Sequence, residues 1–119
     1  MNVVVLGASN KPDRYSYMAV MLLREKGHTP YPVHPHIQEI EGIPVHPSLP
    51  VVPEGIHTIT VYLSPQNQCS VEADMLKSGA RRVIFNPGAE NPDLAERLAK
   101  AGIAVENACT LVLLKTGQF

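Results

Sequence analysis

The sequence is poor in most features that announce a function outright. It has two cysteines, Cys69 and Cys109, too few and too far apart for a metal pattern or a disulfide framework. Both read as reduced, buried thiols near helix starts. Ten lysines and arginines against eleven acids leave a net charge of −1. That excludes a global basic field for nucleic acid and a polybasic patch for a membrane surface. No window approaches the roughly 18 apolar residues of a membrane-spanning helix, and the apolar run at 3–6 is too short for a signal-peptide core. A cytoplasmic location is therefore expected. Internal repeats and low-complexity tracts are absent.

Catalytic signatures are missing as well. There is no G-x-S-x-G elbow and no G-x-x-x-x-G-K-[ST] loop, so neither an exposed serine nucleophile nor a P-loop is indicated. The five histidines include no H-x-x-x-H, and His34 and His36 have no cysteine or carboxylate at ligand spacing, so no metal ligands are assigned. Prolines on both sides of His34 in "YPVHPH" argue for a rigid exit turn. His28, His46 and His57 read as surface histidines in loops or at a strand start. No nucleophile, base and orienting group come together, so no catalytic residue is assigned and catalysis by the isolated chain is not expected.

What is present is an ordinary core-former. Hydrophobic residues make up 45% and charged residues 18% of 119 residues. This length suits a single domain over 1–119 that buries about two-thirds of its unfolded surface. Strand-like and helix-like segments alternate. "NVVVLG" (2–7) is β-branched and apolar, as in a strand buried on both faces. Tyr15, Met18, Ala19, Leu22 and Leu23 fall at helical spacing in a helix from about Tyr15 to Lys26, closed by Gly27. "TPYPVHP" (29–35) predicts a brief proline-broken strand, and "HTITVYLS" (57–64) a central one. Ser64-Pro65 reads as an N-cap with proline at the first helical position, opening a helix to about Ser78. "RRVIFN" (81–86) is a fourth strand. Asn91-Pro92 repeats the cap for the helix "DLAERLAKAG", "IAVEN" (103–107) is a fifth strand, and "CTLVLLKTG" a last short helix. Residues 36–56, with Pro44, Pro47, Pro50 and Pro53, predict a crossover with a short extended piece and a turn of helix. The fold class is α/β, an open parallel five-stranded sheet with helices on both faces.

Ligands of such sheets lie beyond the carboxyl ends of the strands. Four of those ends carry small polar turns: "GASNKP", "VHP", "SP" and "NPG". In the first, Gly7 lets the chain turn sharply, and Ala8 and Ser9 permit close approach. The Ser9 hydroxyl and free amides of the turn can donate to phosphate oxygens at the start of the next helix. Lys11 and Arg14 flank the turn, where a helix dipole prefers acids, so a phosphate partner suits them better. A dinucleotide loop would need two more glycines and an acid at the end of strand two. His34, Pro35 and His36 stand there instead, with no acid before Glu39, so the simple NAD pattern fails twice.

Taken in order, "GASNKPDRYSYMAVMLLREKGH", "YPVHP", "RRVIFNPGAENPDLAERLAKAGIAVEN" and "ACTLVLL" resemble the small stand-alone CoA-binding proteins. These are single-domain relatives of the N-terminal domain of the succinyl-CoA synthetase alpha subunit, so the resemblance implies a Rossmann-like fold, an α/β open parallel five-stranded sheet with helices on both faces. The resemblance runs from Val3 to about Leu114 and implies coenzyme A (CoA) or acyl-CoA as ligand. It implies that Gly7, Ala8, Ser9, Asn10, Lys11 and Pro12, with Arg14, Tyr15 and Ser16, hold phosphates. Val33, His34 and Pro35 would line the adenosine side. Leu63, Ser64 and Pro65, with Asn86, Pro87 and Gly88, would border the pantetheine path. The synthetase's phosphorylated histidine lies in a second domain that has no counterpart here, so ligase activity is not carried over. The expected function is a non-catalytic CoA- or acyl-CoA-binding module, as sensor or partner subunit, free as a homo-oligomer or with an enzyme. Two alternatives stay open: a nucleotide-binding redox-sensing domain, or an enzyme on CoA thioesters using Cys109 or His34.

Overall fold

The computed structural model describes residues 1–53 and 55–119. Strand β1 (Asn2–Leu6) is followed by helix α1 (Tyr15–Glu25), strand β2 (Thr29–Val33) and a small hairpin of β3 (Glu39–Ile40) and β4 (Ile43–Pro44). A 3-10 turn at Leu49–Val51 leads to β5 (Thr58–Val61), then α2 (Pro65–Gln68), α3 (Glu72–Lys77) and β6 (Arg82–Phe85). Helix α4 (Pro92–Lys100), β7 (Ala104–Asn107) and α5 (Thr110–Lys115) complete the chain. Five strands form one all-parallel sheet in the order β2-β1-β5-β6-β7. The α/β Rossmann-like expectation holds, with each strand one to four residues shorter than its sequence pattern suggested.

Strand β1 sits inside the sheet because three consecutive valines suit a strand covered on both faces, and Val3, Val4 and Val5 are fully buried. Strand β2 carries Pro30 and Pro32 and is accordingly an edge. Both prolines are buried, and the Pro32 carbonyl accepts the His46 amide at 2.9 Å. Val4, Leu6, Ile59, Val61, Val83 and Phe85 pack on one face against Met75 of α3 and Leu94 and Leu98 of α4. Val3 and Val5 pack on the other against Val20 and Leu23 of α1, Leu114 of α5 and Ile40 of the hairpin. Each such side chain contributes about 1.5–3 kcal/mol by leaving water.

Four expectations need correction. The buried face of α1 is Ser16, Ala19, Val20 and Leu23, whereas Tyr15 is 71% and Met18 38% exposed. Residues 17–23 are an unbroken apolar run, so spacing alone did not fix which side meets the sheet; small Ala19 and branched Val20 allow the closest approach to β1. The helix expected over 65–78 is two pieces. Its break at 69–71 follows Gln68, which turns inward until it is 1% exposed. That side chain donates to the carbonyls of Leu63 at 2.9 Å and Ala89 at 2.7 Å and accepts from Asn91. Cys69, just past the first piece, is exposed rather than buried. The three histidines expected at the surface, His28, His46 and His57, are half-buried.

The Asn91-Pro92 cap is as expected, the Asn91 carboxamide accepting the Leu94 amide at 3.2 Å. Ser64 occupies the corresponding position, but its hydroxyl takes the Asn67 side-chain amide instead of a backbone group. The extended piece of the crossover is the β3–β4 hairpin, whose turn residues Glu41 and Gly42 both have positive φ, the conformation of a tight two-residue hairpin turn. Glu54 of the same crossover lies outside the described residues.

Candidate functional site

From β1 the chain goes to β2 on one side, then crosses over to β5 on the other. The order reverses between β1 and β5, so their carboxyl ends diverge and leave a crevice. A cleft of about 530 Å³ lies there, lined by Gly7, Ala8, Ser9, Asn10, Lys11, Arg14, Tyr15, Ser16, His34, Ile37, Tyr62, Leu63 and Pro87. A groove of similar volume runs along the flanks of α1 and α5, past Tyr17, Met18, Met21 and Leu111. It lies on helix sides rather than strand ends, so no turn backbone converges on it.

The first turn forms the cleft's wall. Gly7 has φ +89, and a β-carbon there would lie 3.0 Å from Leu63 Cδ2 and 3.3 Å from the Leu63 amide nitrogen. Glycine is required both for the backbone conformation and for the approach of the Leu63 segment. The Gly7 and Ala8 amides both donate to the Val33 carbonyl at 3.2 Å. These two are therefore not free for a ligand, a correction to the expectation for this turn. Ser9 Oγ accepts the Lys11 amide at 3.1 Å, which orients the hydroxyl and leaves its O–H to donate elsewhere. Helix α1 then starts at the cleft without an acid in its first turn and without a side-chain cap at Arg14. Its first internal bond runs from the Met18 amide to the Arg14 carbonyl at 3.1 Å, so the amides of Tyr15, Ser16 and Tyr17 precede the hydrogen-bonded turns. With Lys11 and Arg14 beside them, this end of the cleft is electropositive. Among the described residues, no acidic one appears in the lining.

His34 forms the neighbouring wall. Its Nδ1 accepts the His36 amide at 3.0 Å. Burial, and secondarily His36, hold its pKa below the usual histidine value. The two histidine rings, 6.0 Å apart and inclined at 69°, do not stack face to face. Tyr62, which the sequence pattern did not single out, lines the floor beside Leu63. Its hydroxyl is buried and, among the described residues, has no hydrogen-bond partner, though Thr60 and Thr110 are near it. Burial pushes its pKa up to about 12.

Beneath the floor is a polar knot. Asn86, 2% exposed, donates to Thr60 Oγ1 at 2.7 Å and to the Val61 carbonyl at 2.9 Å, and accepts the Thr110 amide at 2.9 Å. Thr60 and Thr110 share a hydroxyl contact of 2.7 Å. Asn86 is thus committed to the protein, joining β5, β6 and the start of α5. Val33 is core, and the Gly88 amide is taken by the Glu90 carboxylate at 2.8 Å. Pro12, Pro35, Ser64 and Pro65, like these three, do not line the cleft. Cys109 stands at the N-cap position of α5, half-buried. Ile37 is a second lining residue that the sequence pattern missed.

Comparison with known proteins places this geometry among relatives. A family model described as a CoA binding domain matches residues 1–115. The protein YneT of Bacillus subtilis is 26% identical over 103 residues, 87% of this chain and 76% of its own length. A crystal structure of an uncharacterized protein superposes with a TM-score of 0.93 at 41% identity, over 99% of this chain and 97% of the other. A dinucleotide-forming acetyl-coenzyme A synthetase from Ca. Korarchaeum cryptofilum, solved with phosphate and ADP, has the same fold. It gives a TM-score of 0.77 at 21% identity, over 90% of this chain and 25% of that one.

Proposed function

This chain belongs to the CoA-binding domain family, and on that premise we propose that the cleft between β1 and β5 holds CoA or an acyl-CoA. The supporting observation is the lining itself, which combines Lys11, Arg14, the Ser9 hydroxyl and the uncapped start of α1 with no carboxylate among the described residues. A ligand with several phosphates fits that charge, and CoA carries one more than NAD. NAD would look for an acid at the end of β2; Val33, His34 and Pro35 occupy that end. In our reading Ser9, Asn10, Lys11, Arg14 and the amides of Tyr15 and Ser16 hold phosphates. His34 faces the adenosine, and Leu63 and Pro87 border the pantetheine arm. The buried Asn86 shapes the floor without touching the ligand.

We assign no catalytic residue and read the chain as a binding module that serves as a sensor or as the partner of an enzyme. In the synthetase neighbour the same fold makes up about a quarter of a long chain, an arrangement consistent with a unit that presents CoA to chemistry elsewhere. Titration calorimetry with CoA, dephospho-CoA, NAD and ATP tests the proposal. The expected order is CoA tightest, with the Lys11→Ala, Arg14→Ala double variant about 10- to 100-fold weaker through lost charge-assisted bonds. Both residues are exposed, so the melting temperature should not move. Absence of CoA binding at sub-millimolar concentration, or tighter binding of NAD, refutes it.

A further inference from the structure

We infer that His34 serves the cleft as a neutral hydrogen-bond donor, its proton fixed on Nε2 by its own loop, and that it reads an uncharged acceptor on the nucleoside part of the ligand. The inference rests on the CoA reading above and adds to it a chemical role for one wall.

The first premise is the bond from the His36 amide to His34 Nδ1, 3.0 Å long. A backbone N–H can only donate, so Nδ1 must accept and carries no proton. The ring's one N–H is then on Nε2. Adding a second proton at Nδ1 would replace this hydrogen bond by two N–H groups facing each other. The loop geometry therefore opposes the imidazolium form.

The surroundings point the same way. Lys11, Arg14 and Tyr15 line the same cleft from the first turn and α1, and Tyr62 lines it from just past β5. His36 lies on the same loop, and His46, beyond β4, meets it through the backbone, its carbonyl accepting the His34 amide at 3.0 Å. None of these side chains is a carboxylate. Asp13 of the turn and Glu39 of β3 are exposed and lie outside the lining. Nothing in the cleft attracts a second proton to the ring, and burial already disfavours one.

A division of labour follows. Phosphate oxygens are met best by permanent cations, which Lys11 and Arg14 supply. A phosphate at His34 would call for the charged ring that the loop resists. A single fixed N–H is suited instead to a ring nitrogen of adenine or a ribose oxygen, where the acceptor is neutral and direction matters.

Two measurements test this. Long-range proton–nitrogen NMR of the labelled protein at neutral pH should show His34 as the Nε2–H tautomer, the signal assigned by its loss in His34→Gln. Titration calorimetry should then compare wild type, His34→Gln and His34→Asn with CoA and dephospho-CoA. Glutamine places its amide nitrogen near Nε2, whereas asparagine reaches only as far as Nδ1. His34→Gln should keep affinity within about two-fold, and His34→Asn should lose about five- to ten-fold, the worth of one net hydrogen bond. The loss should be equal for the two ligands, because the 3′-phosphate is not the partner. An Nδ1–H or doubly protonated ring overturns the inference. So do equal affinities for the two variants, or a loss confined to CoA. It is also overturned if dephospho-CoA binding tightens as pH falls from 7.5 to 5.5 and His34→Gln removes that trend. If wild type binds neither ligand at any pH, the CoA reading itself fails and this inference falls with it.

Discussion

Asn86 offers the sharpest test of how the site is built. Its side chain donates to Thr60 Oγ1 and the Val61 carbonyl and accepts the Thr110 amide. In Asn86→Ala, the Val61 carbonyl keeps the Asn86 amide at 3.3 Å and Thr60 keeps Thr110 Oγ1 at 2.7 Å. The Thr110 amide keeps nothing. It belongs to a fully buried residue at the first position of α5, and Cys109 at the N-cap offers no side-chain bond. Asn86 thus caps α5 from a different element. Orphaning a buried donor costs about 1–3 kcal/mol, and three missing atoms in a packed site add about 1 more. We predict a loss of about 2–4 kcal/mol, read as a fall of about 1–2 M in the urea midpoint with an unchanged slope. Asn86→Asp conserves the volume and still accepts from Thr110, but turns an oxygen toward the Val61 carbonyl. Its folded-state pKa should therefore be raised above the usual value near 3.9. The variant should be close to wild type below about pH 4 and lose stability as pH rises through the raised pKa. An Ala variant that shifts the midpoint by less than about 0.5 M, or an Asp variant as stable as wild type at pH 7, refutes the capping argument.

Gly7→Ala should destabilise by about 2–3 kcal/mol, adding the contact with Leu63 at 3.0 Å to the left-handed backbone penalty of about 1–2 kcal/mol. Gly27→Ala, with φ +87 and open space around it, should show the backbone penalty alone; equal losses in thermal melts would sink the packing claim. With the Tyr62 pKa raised to about 12 against about 10 in the unfolded chain, stability is complete below about pH 10 and falls as pH rises through 12, where the unfolded chain ionises more readily. Tyr62→Phe should remove that alkaline slope and, because the hydroxyl has no partner among the described residues, cost nothing measurable at pH 7. A tyrosine absorbance titration that is complete by pH 11 would contradict it.

Much of the fold is local and so was readable. The valine run of β1, the TITV of β5 and the RVIF of β6 are β-branched or aromatic and bounded by glycine, proline or asparagine. The crossover to β5 followed from proline density. The turn at Gly7 and the loop at His34 were identifiable because small and polar residues follow directly on apolar strands. What escaped depends on distant partners. Tyr62 was absorbed into an overlong strand, although the chain leaves the sheet at Val61 and frees the next two residues for the cleft. Ile37 stands in a crossover without periodicity. The break after Gln68 has no local sign, since its cause is two carbonyls at Leu63 and Ala89, and the exposure of Cys69 follows from that break.

The Gln68 side chain has a consequence for how the cleft adapts. It ties the segment after β5 to the segment after β6, and Asn91 ties both to α4. One jaw of the cleft, bearing Leu63 and Pro87, is therefore braced across three elements. In the opposite jaw the turn from Gly7 to Arg14 is tied to β2 by the single Val33 carbonyl shared by two amides, and His34 beside it by its amide bond to the His46 carbonyl. Ligands of different bulk should be accommodated by movement of that compliant jaw while the braced one stays still, so that the fixed side sets alignment and the yielding side sets tolerance. Amide exchange should then be faster at Ser9 and Asn10 than at Asn86 and Ala89; the reverse order would show that the brace does not hold.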